Sequence, residues 1–93
     1  MDRRQHDRWC LDCAATALCL GGDQFGRMHD LRTIDMGHGG MSAVGRDAIE
    51  PGTPVCLGFA SQDQTARHGV VVASDARDGT QRLSIRFTGG LAA

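Results

Sequence analysis

Residues 68–87 read "HGVVVASDARDGTQRLSIRF", and this stretch decides the fold class. Its second half alternates apolar and polar residues, which is the period of a half-buried strand. The run "GVVVASD" at 69–75 is almost continuously apolar and predicts a strand covered on both faces. Between the two, "ARDGT" predicts a tight turn, so the stretch predicts a β-hairpin. The apolar face of the second strand consists of Leu83, Ile85 and Phe87.

The rest of the chain carries the same kind of pattern, with glycine-rich turn signals between short apolar segments. The run "PVCLGFA" at 54–60 predicts a further strand. Residues 9–20, "WCLDCAATALCL", also suit a helix, but the hairpin-like "GGDQFG" that follows favours a strand. Residues 27–36 do not alternate cleanly and predict a strand with a bulge. We therefore expect about six strands and no helix, a small antiparallel sheet that closes into a barrel.

The composition describes one domain with no general attraction to polyanions. A chain of 93 residues is a single domain, and we take 1–93 as that domain, with residues 1–8 as a flexible, arginine-rich arm. A formal net charge of −1 argues against binding a nucleic acid polymer. An OB-like single-strand binder stays open as an alternative, although one Trp, three Phe and no Tyr leave few stacking platforms.

The apolar segments are too short for a membrane span of about 20 residues. The first twenty residues lack the basic start and apolar run of a secretion signal. We therefore expect a cytoplasmic protein that does not insert into a membrane.

The four cysteines allow three interpretations. Cys10 and Cys13 form a C-x-x-C pair, whereas Cys19 and Cys56 stand alone. A zinc site completed by His6 is one interpretation, but such sites normally have a second close pair of ligands. A redox pair normally begins a helix in a β-α-β unit. We expect buried, reduced, structural thiols and no metal site.

Arginines are concentrated in "RRQHDR" at 3–8. Arg4 and Arg8 share one face in an extended segment, because their separation is even. Paired guanidinium groups can grip an anion from two sides, stack on planar rings and present a hydrogen-bonding fork to guanine. The alternative is an ordinary solvated chain terminus.

A second stretch, "DMGHGG" at 35–40, complements the arginines. Three glycines within four residues predict a turn that β-branched residues could not follow. Its backbone N–H groups could bind phosphate, and the Asp35 carboxylate could accept hydrogen bonds from a guanine edge. The alternative is a plain hairpin loop in which Asp35 starts the turn.

Together the two stretches resemble the PilZ family, which pairs an R-x-x-x-R segment with a D/N-x-S-x-x-G turn some thirty residues later. Here these are Arg4 to Arg8 and Asp35 to Gly40, the latter followed by Met41. An additional arginine precedes the first motif arginine, "GTPVCL" matches a G-x-x-V-x-L strand, and the last strand ends in "RF". The resemblance covers essentially the whole chain.

The resemblance implies a six-stranded antiparallel Greek-key β-barrel of the PilZ split-barrel type, with the C-terminal helix absent or very short. It implies a bacterial receptor for the second messenger cyclic di-GMP, with no cofactor besides that ligand. We expect no enzymatic activity, because no Ser or Cys nucleophile has a nearby base in a recognisable pattern. The arm closes over the nucleotide and signals to a downstream protein or fused output domain. The ligand binds alone or as an intercalated dimer, which an additional arginine accompanies in the family. The implied ligand-binding residues are Arg3, Arg4, Arg8, Asp35, Gly37 and Gly40.

The chain departs from the family pattern at Gly37, where the motif has Ser. A lost hydrogen bond to a charged group costs about 1.5–3 kcal/mol, or roughly ten- to a hundredfold in affinity. We expect the Gly37 backbone N–H to recover part of that loss. The departure also supports an alternative function: a degenerate PilZ domain that does not bind the nucleotide and acts as a protein–protein interaction module.

Overall fold

The computed structural model describes residues 13–60 and 66–91. The arm predicted over residues 1–8 therefore lies outside the described residues. None of the described residues forms a helix, so these ranges contain no helix that could span a membrane. They form six strands: β1 (Ala14–Cys19), β2 (Met28–Met36), β3 (Gly40–Gly45), β4 (Pro54–Phe59), β5 (Arg67–Arg77) and β6 (Thr80–Leu91).

The strands form a closed barrel in the order β1-β2-β3-β6-β5-β4, with β4 returning to pair with β1. Every neighbouring pair is antiparallel. Three consecutive strands with the fourth beside the first make a Greek key. The predicted six-stranded antiparallel barrel is confirmed, and its closure leaves no unpaired sheet edge.

The hairpin that decided the fold class is the β5–β6 pair. Arg77 lies opposite Thr80, so only two residues form the turn. Asp78 and Gly79 both have positive φ, at 50° and 83°. This is the left-handed backbone that a two-residue hairpin of type I′ requires and that Asp-Gly favours.

Two less regular segments also follow the prediction. The described part of 9–20 is a strand, β1, and the loop after it is a hairpin loop that leads into β2. The predicted bulge in 27–36 lies between Thr33 and Asp35, where the register with β3 shifts by one residue. Ile34 is the additional residue.

The hydrophobic core fills the inside of the barrel. Leu83 and Ile85 on β6 and Leu57 on β4 are buried as the alternation predicts. The expectation that 69–75 is covered on both faces is wrong, because a barrel strand has one interior face. Val71 is fully buried, whereas its neighbour Val72 is 48% exposed on the outside.

The two ends of the barrel are built differently. At one end, which we call the turn end, β1 begins, the β2–β3 turn lies at 37–39, β4 ends and β5 begins. At the other, which we call the closed end, residues 46–53 cross from β3 to β4. Ile49 from this crossing is fully buried and fills the barrel interior there.

Candidate ligand site at the turn end

The structure brings three of the predicted ligand residues together. Asp35 lies near the end of β2, Gly37 in the turn and Gly40 at the start of β3. The remaining predicted residues, Arg3, Arg4 and Arg8, lie outside the described residues. The described part of the predicted site is therefore the acidic strand end and the glycine turn.

The β-bulge at Ile34 determines which way Asp35 faces. Without the additional residue, the Asp35 side chain would point into the barrel, as the fully buried Thr33 side chain does. The bulge places Asp35 opposite Ser42 on β3, and Ser42 lies opposite Ser84 on β6. Asp35 is exposed and both serines are half-buried. A polar row therefore crosses the outside of three strands next to the turn.

Gly40 is required by a close approach of two strands. It pairs with Arg86 on β6, and a Cβ atom at position 40 would collide with the carbonyl oxygen of Ile85. The obstacle is backbone, which cannot rotate away as a side chain could. The prediction that Gly40 serves the conformation of the turn is not borne out, because its φ is not positive; glycine is needed there for packing against β6.

The other two glycines of the turn are not needed for its backbone conformation. Neither Gly37 nor Gly39 has a positive φ, and a Cβ atom at either position would meet nothing within 4 Å. The turn therefore tolerates side chains at both positions, and the prediction that it needs their conformational freedom is wrong. The Gly37 N–H donates to the Gly40 carbonyl at 3.0 Å. It is already used within the turn, so it does not replace the missing serine hydroxyl.

The described chain starts beside this site. The carbonyl oxygen of Cys13 accepts a hydrogen bond from the Thr33 N–H at 2.8 Å. Thr33 precedes Asp35 by two residues. The first described residue after the arginine segment therefore lies at the same barrel end as the acidic strand end and the glycine turn.

An additional arginine that the sequence reasoning missed lies at the turn end. Arg67 begins β5, and its guanidinium carbon lies 4.1 Å from the centroid of the Phe87 ring. The Phe87 N–H donates to the Gly39 carbonyl at 2.8 Å, so this ring is anchored to the glycine turn. One signal was available: Arg67 shares its phase on β5 with Gly69 and Val71, which are buried.

At the closed end, three polar side chains take part in hydrogen bonds. Gln24 donates its side-chain N–H to the Ala48 carbonyl at 3.0 Å, and its Oε1 lies 2.6 Å from His29 Nε2. An amide oxygen can only accept, so His29 Nε2 carries the proton. Thr53 donates its hydroxyl to the Glu50 carbonyl at 2.6 Å. These contacts fasten the crossing over the barrel.

The described residues line a small groove at the turn end. A groove of about 280 Å³ lies between the start of β1 and the end of β4. A larger one, of about 510 Å³, runs along β2 and β3 and includes Arg32 and Arg46 but none of the predicted ligand residues. The groove of about 280 Å³ is smaller than most ligand pockets, so a cyclic dinucleotide at the turn end would extend beyond it.

Within the described residues, no group of three or more His, Cys, Asp or Glu side chains could hold a metal ion. Cys19 is buried, and Cys13 and Cys56 are half-buried. Cys10 lies outside the described residues. Burial raises the pKa of the Cys19 thiol, and the nearby Arg27 guanidinium opposes that rise. Cys19 is therefore a protonated core residue at neutral pH.

Searches of this chain against protein-family models and against curated proteins find no match.

Proposed function

We propose that the chain is a PilZ-type receptor for cyclic di-GMP, which binds at the turn end. The observation that carries the proposal is the meeting of three features there. Asp35 faces outward, the glycine turn follows it, and Cys13 bonds to Thr33 beside them. These are the described parts of the two motifs whose order and spacing resemble the family.

The length of the chain allows the arginines to reach this site. Arg8 precedes Cys13 by five residues, and five residues of extended chain span at most about 18 Å. Cys13 in turn lies next to the strand that ends in Asp35. The segment between Arg8 and Cys13 is therefore long enough to let the Arg8 side chain reach a ligand held at the turn.

The chemistry of the ligand suits these groups. Cyclic di-GMP carries two planar guanines and two phosphates. Arginine combines charge, a hydrogen-bonding fork and a planar stacking surface, and the Asp35 carboxylate can accept from a guanine edge. We expect the arginine segment to close over the ligand on binding. This ordering is the signal that a partner protein reads.

A calorimetric titration of cyclic di-GMP tests the proposal. The wild-type chain should bind saturably, and Arg4→Ala or Arg8→Ala should remove detectable binding. Arg77→Ala is the control, because Arg77 is exposed in the hairpin turn at the closed end. Absence of binding to the wild-type chain would overturn the proposal, and equal losses in all three variants would reveal nonspecific charge attraction.

Gly37→Ser tests the glycine turn by a gain of affinity. The structure leaves room for a side chain there, so the added hydroxyl can bond to the ligand and tighten binding by roughly tenfold or more. Gly39→Ser is the matched control, because position 39 is equally open but carries no motif residue. Equal effects at both positions would contradict the assigned role of position 37.

A second function, the degenerate interaction module, is favoured by apolar residues on the outside of the barrel. Leu20, Phe25 and Met28 lie on or beside the β1–β2 loop and are 39%, 71% and 67% exposed. Exposed apolar side chains grouped in this way are typical of protein contact surfaces. This function predicts no binding of cyclic di-GMP even by Gly37→Ser.

A further inference from the structure

The Arg67 side chain is held in a fixed position at the turn end. Its guanidinium lies over the face of Phe87, at 4.1 Å from guanidinium carbon to ring centroid, within the range of a cation–π contact. Phe87 belongs to the barrel core and its N–H is bonded to the Gly39 carbonyl. The Arg67 guanidinium is therefore positioned by a core ring, and the backbone of that ring's residue is bonded to the glycine turn.

Arg67 is also incompletely hydrogen-bonded. Its Nε is buried and has no hydrogen-bond partner in the described structure. A buried donor without a partner costs about 1–3 kcal/mol, and such groups are few in native proteins and call for an explanation. The side chain as a whole is half-buried, so part of it remains accessible.

We infer that Arg67 is an additional ligand-contacting arginine of this site, an inference that rests on the proposed function. One face of its guanidinium is used by Phe87. The opposite face and the N–H edge can meet a planar, anionic ligand, by stacking on a purine or donating to a phosphate. Unlike the motif arginines, Arg67 starts a strand, so it offers a positioned charge before the ligand arrives.

The contact has a consequence for selectivity. A guanidinium between Phe87 and the ligand favours a ligand that is both aromatic and anionic, because only such a ligand uses its face and its charge together. Inorganic phosphate uses the charge alone. The site therefore selects a purine nucleotide over a free anion.

The test is calorimetric titration of cyclic di-GMP into Arg67→Met and Arg77→Met, which change the first and last residues of the same strand. Arg67→Met should weaken binding by roughly tenfold, and its affinity should depend less on salt, since one attraction to the ligand is lost. Arg77→Met should bind like the wild-type chain. A packing defect alone would leave the salt dependence unchanged.

Arg67→Lys covers the case in which Arg67→Met fails to fold. It keeps the charge and the alkyl stem but loses the planar face, so it should fold and bind several-fold more weakly than the wild-type chain. Wild-type affinity in Arg67→Lys or in a folded Arg67→Met would overturn this inference and leave the proposed function intact. A wild-type chain that does not bind would overturn the proposed function and the role of Arg67 with it.

Discussion

The closed end and the turn end of this barrel treat their polar groups in opposite ways. At the closed end, Gln24, His29 and Thr53 bond to one another or to the crossing backbone, over the buried Ile49. Two buried side-chain atoms lack a partner within the described residues, Thr33 Oγ1 and Arg67 Nε. Both belong to the half of the barrel next to the turn end.

We relate this difference to two roles: stability at the closed end and the proposed ligand binding at the turn end. Polar groups that are bonded internally fix a structure, whereas Arg67 is only half-buried, so part of its side chain is accessible to a ligand. We therefore expect substitutions at the closed end to lower the free energy of unfolding. Substitutions of side chains at the turn end should change ligand affinity more than stability.

The largest expected loss of stability comes from Ile49→Ala. This change removes a fully buried side chain that fills the closed end and should lower the free energy of unfolding by about 2–5 kcal/mol. Urea denaturation measures it. Arg67→Met at the turn end should lower the free energy of unfolding by about 1 kcal/mol or less. Similar losses in the two variants would show that stability does not depend more on the closed end.

Gly40→Ala tests the one place where the turn end depends on packing. The added Cβ meets the β6 backbone at Ile85, so the free energy of unfolding should fall by about 3 kcal/mol. Gly39→Ala places a methyl group in open space and should change it by less than about 0.5 kcal/mol. The pair is compared by denaturant titration, and a neutral Gly40→Ala would show that the strands do not approach so closely.

Gln24→Ala breaks the hydrogen-bond chain of the closed end. It leaves the buried His29 N–H without its acceptor and should lower the free energy of unfolding by about 1–2 kcal/mol. Asp23→Ala is the neighbouring control, since Asp23 is exposed and its replacement should be neutral. If the two variants are equally stable by thermal melting, Gln24 does not fasten the crossing.

The smallest effect concerns Cys19, whose thiol pKa is raised by burial above its ordinary 9.0. The folded state therefore holds the thiol proton more tightly than the unfolded state. Its contribution to stability is present below pH 9 and is lost as the pH rises through the folded pKa. Between neutral pH and pH 9.5, the free energy of unfolding of the wild-type chain should fall by a measurable amount, below about 1 kcal/mol, that Cys19→Ala does not lose. Urea denaturation at the two pH values measures it. Parallel pH curves would contradict this.

Much of the fold was predictable because its signals are local. Strict alternation at 82–87 and the Asp-Gly turn at 78–79 fix the β5–β6 hairpin, and the broken alternation of 27–36 marks a real bulge. The prediction that the strand at 69–75 is covered on both faces was wrong, because the length of an apolar run does not show whether other elements pack on its second face.

The site was less predictable because it depends on contacts between distant strands. Gly40 is constrained by Ile85, and Arg67 is positioned by Phe87, 20 residues away in the sequence. Neither pairing is visible in a motif. The prediction that the turn needs the conformational freedom of its glycines was wrong, because glycine spacing alone does not reveal the backbone angles of a turn.

The most direct measurement of the central claim is a map of backbone amide chemical shifts in the ¹⁵N-labelled chain during titration with cyclic di-GMP. A nucleotide site at the turn end predicts the largest changes at residues 35–40 and at Arg67 and Phe87, with the crossing at 46–53 unchanged. Changes centred on the crossing or on the β1–β2 loop, or no changes at all, would contradict a nucleotide site at the turn end.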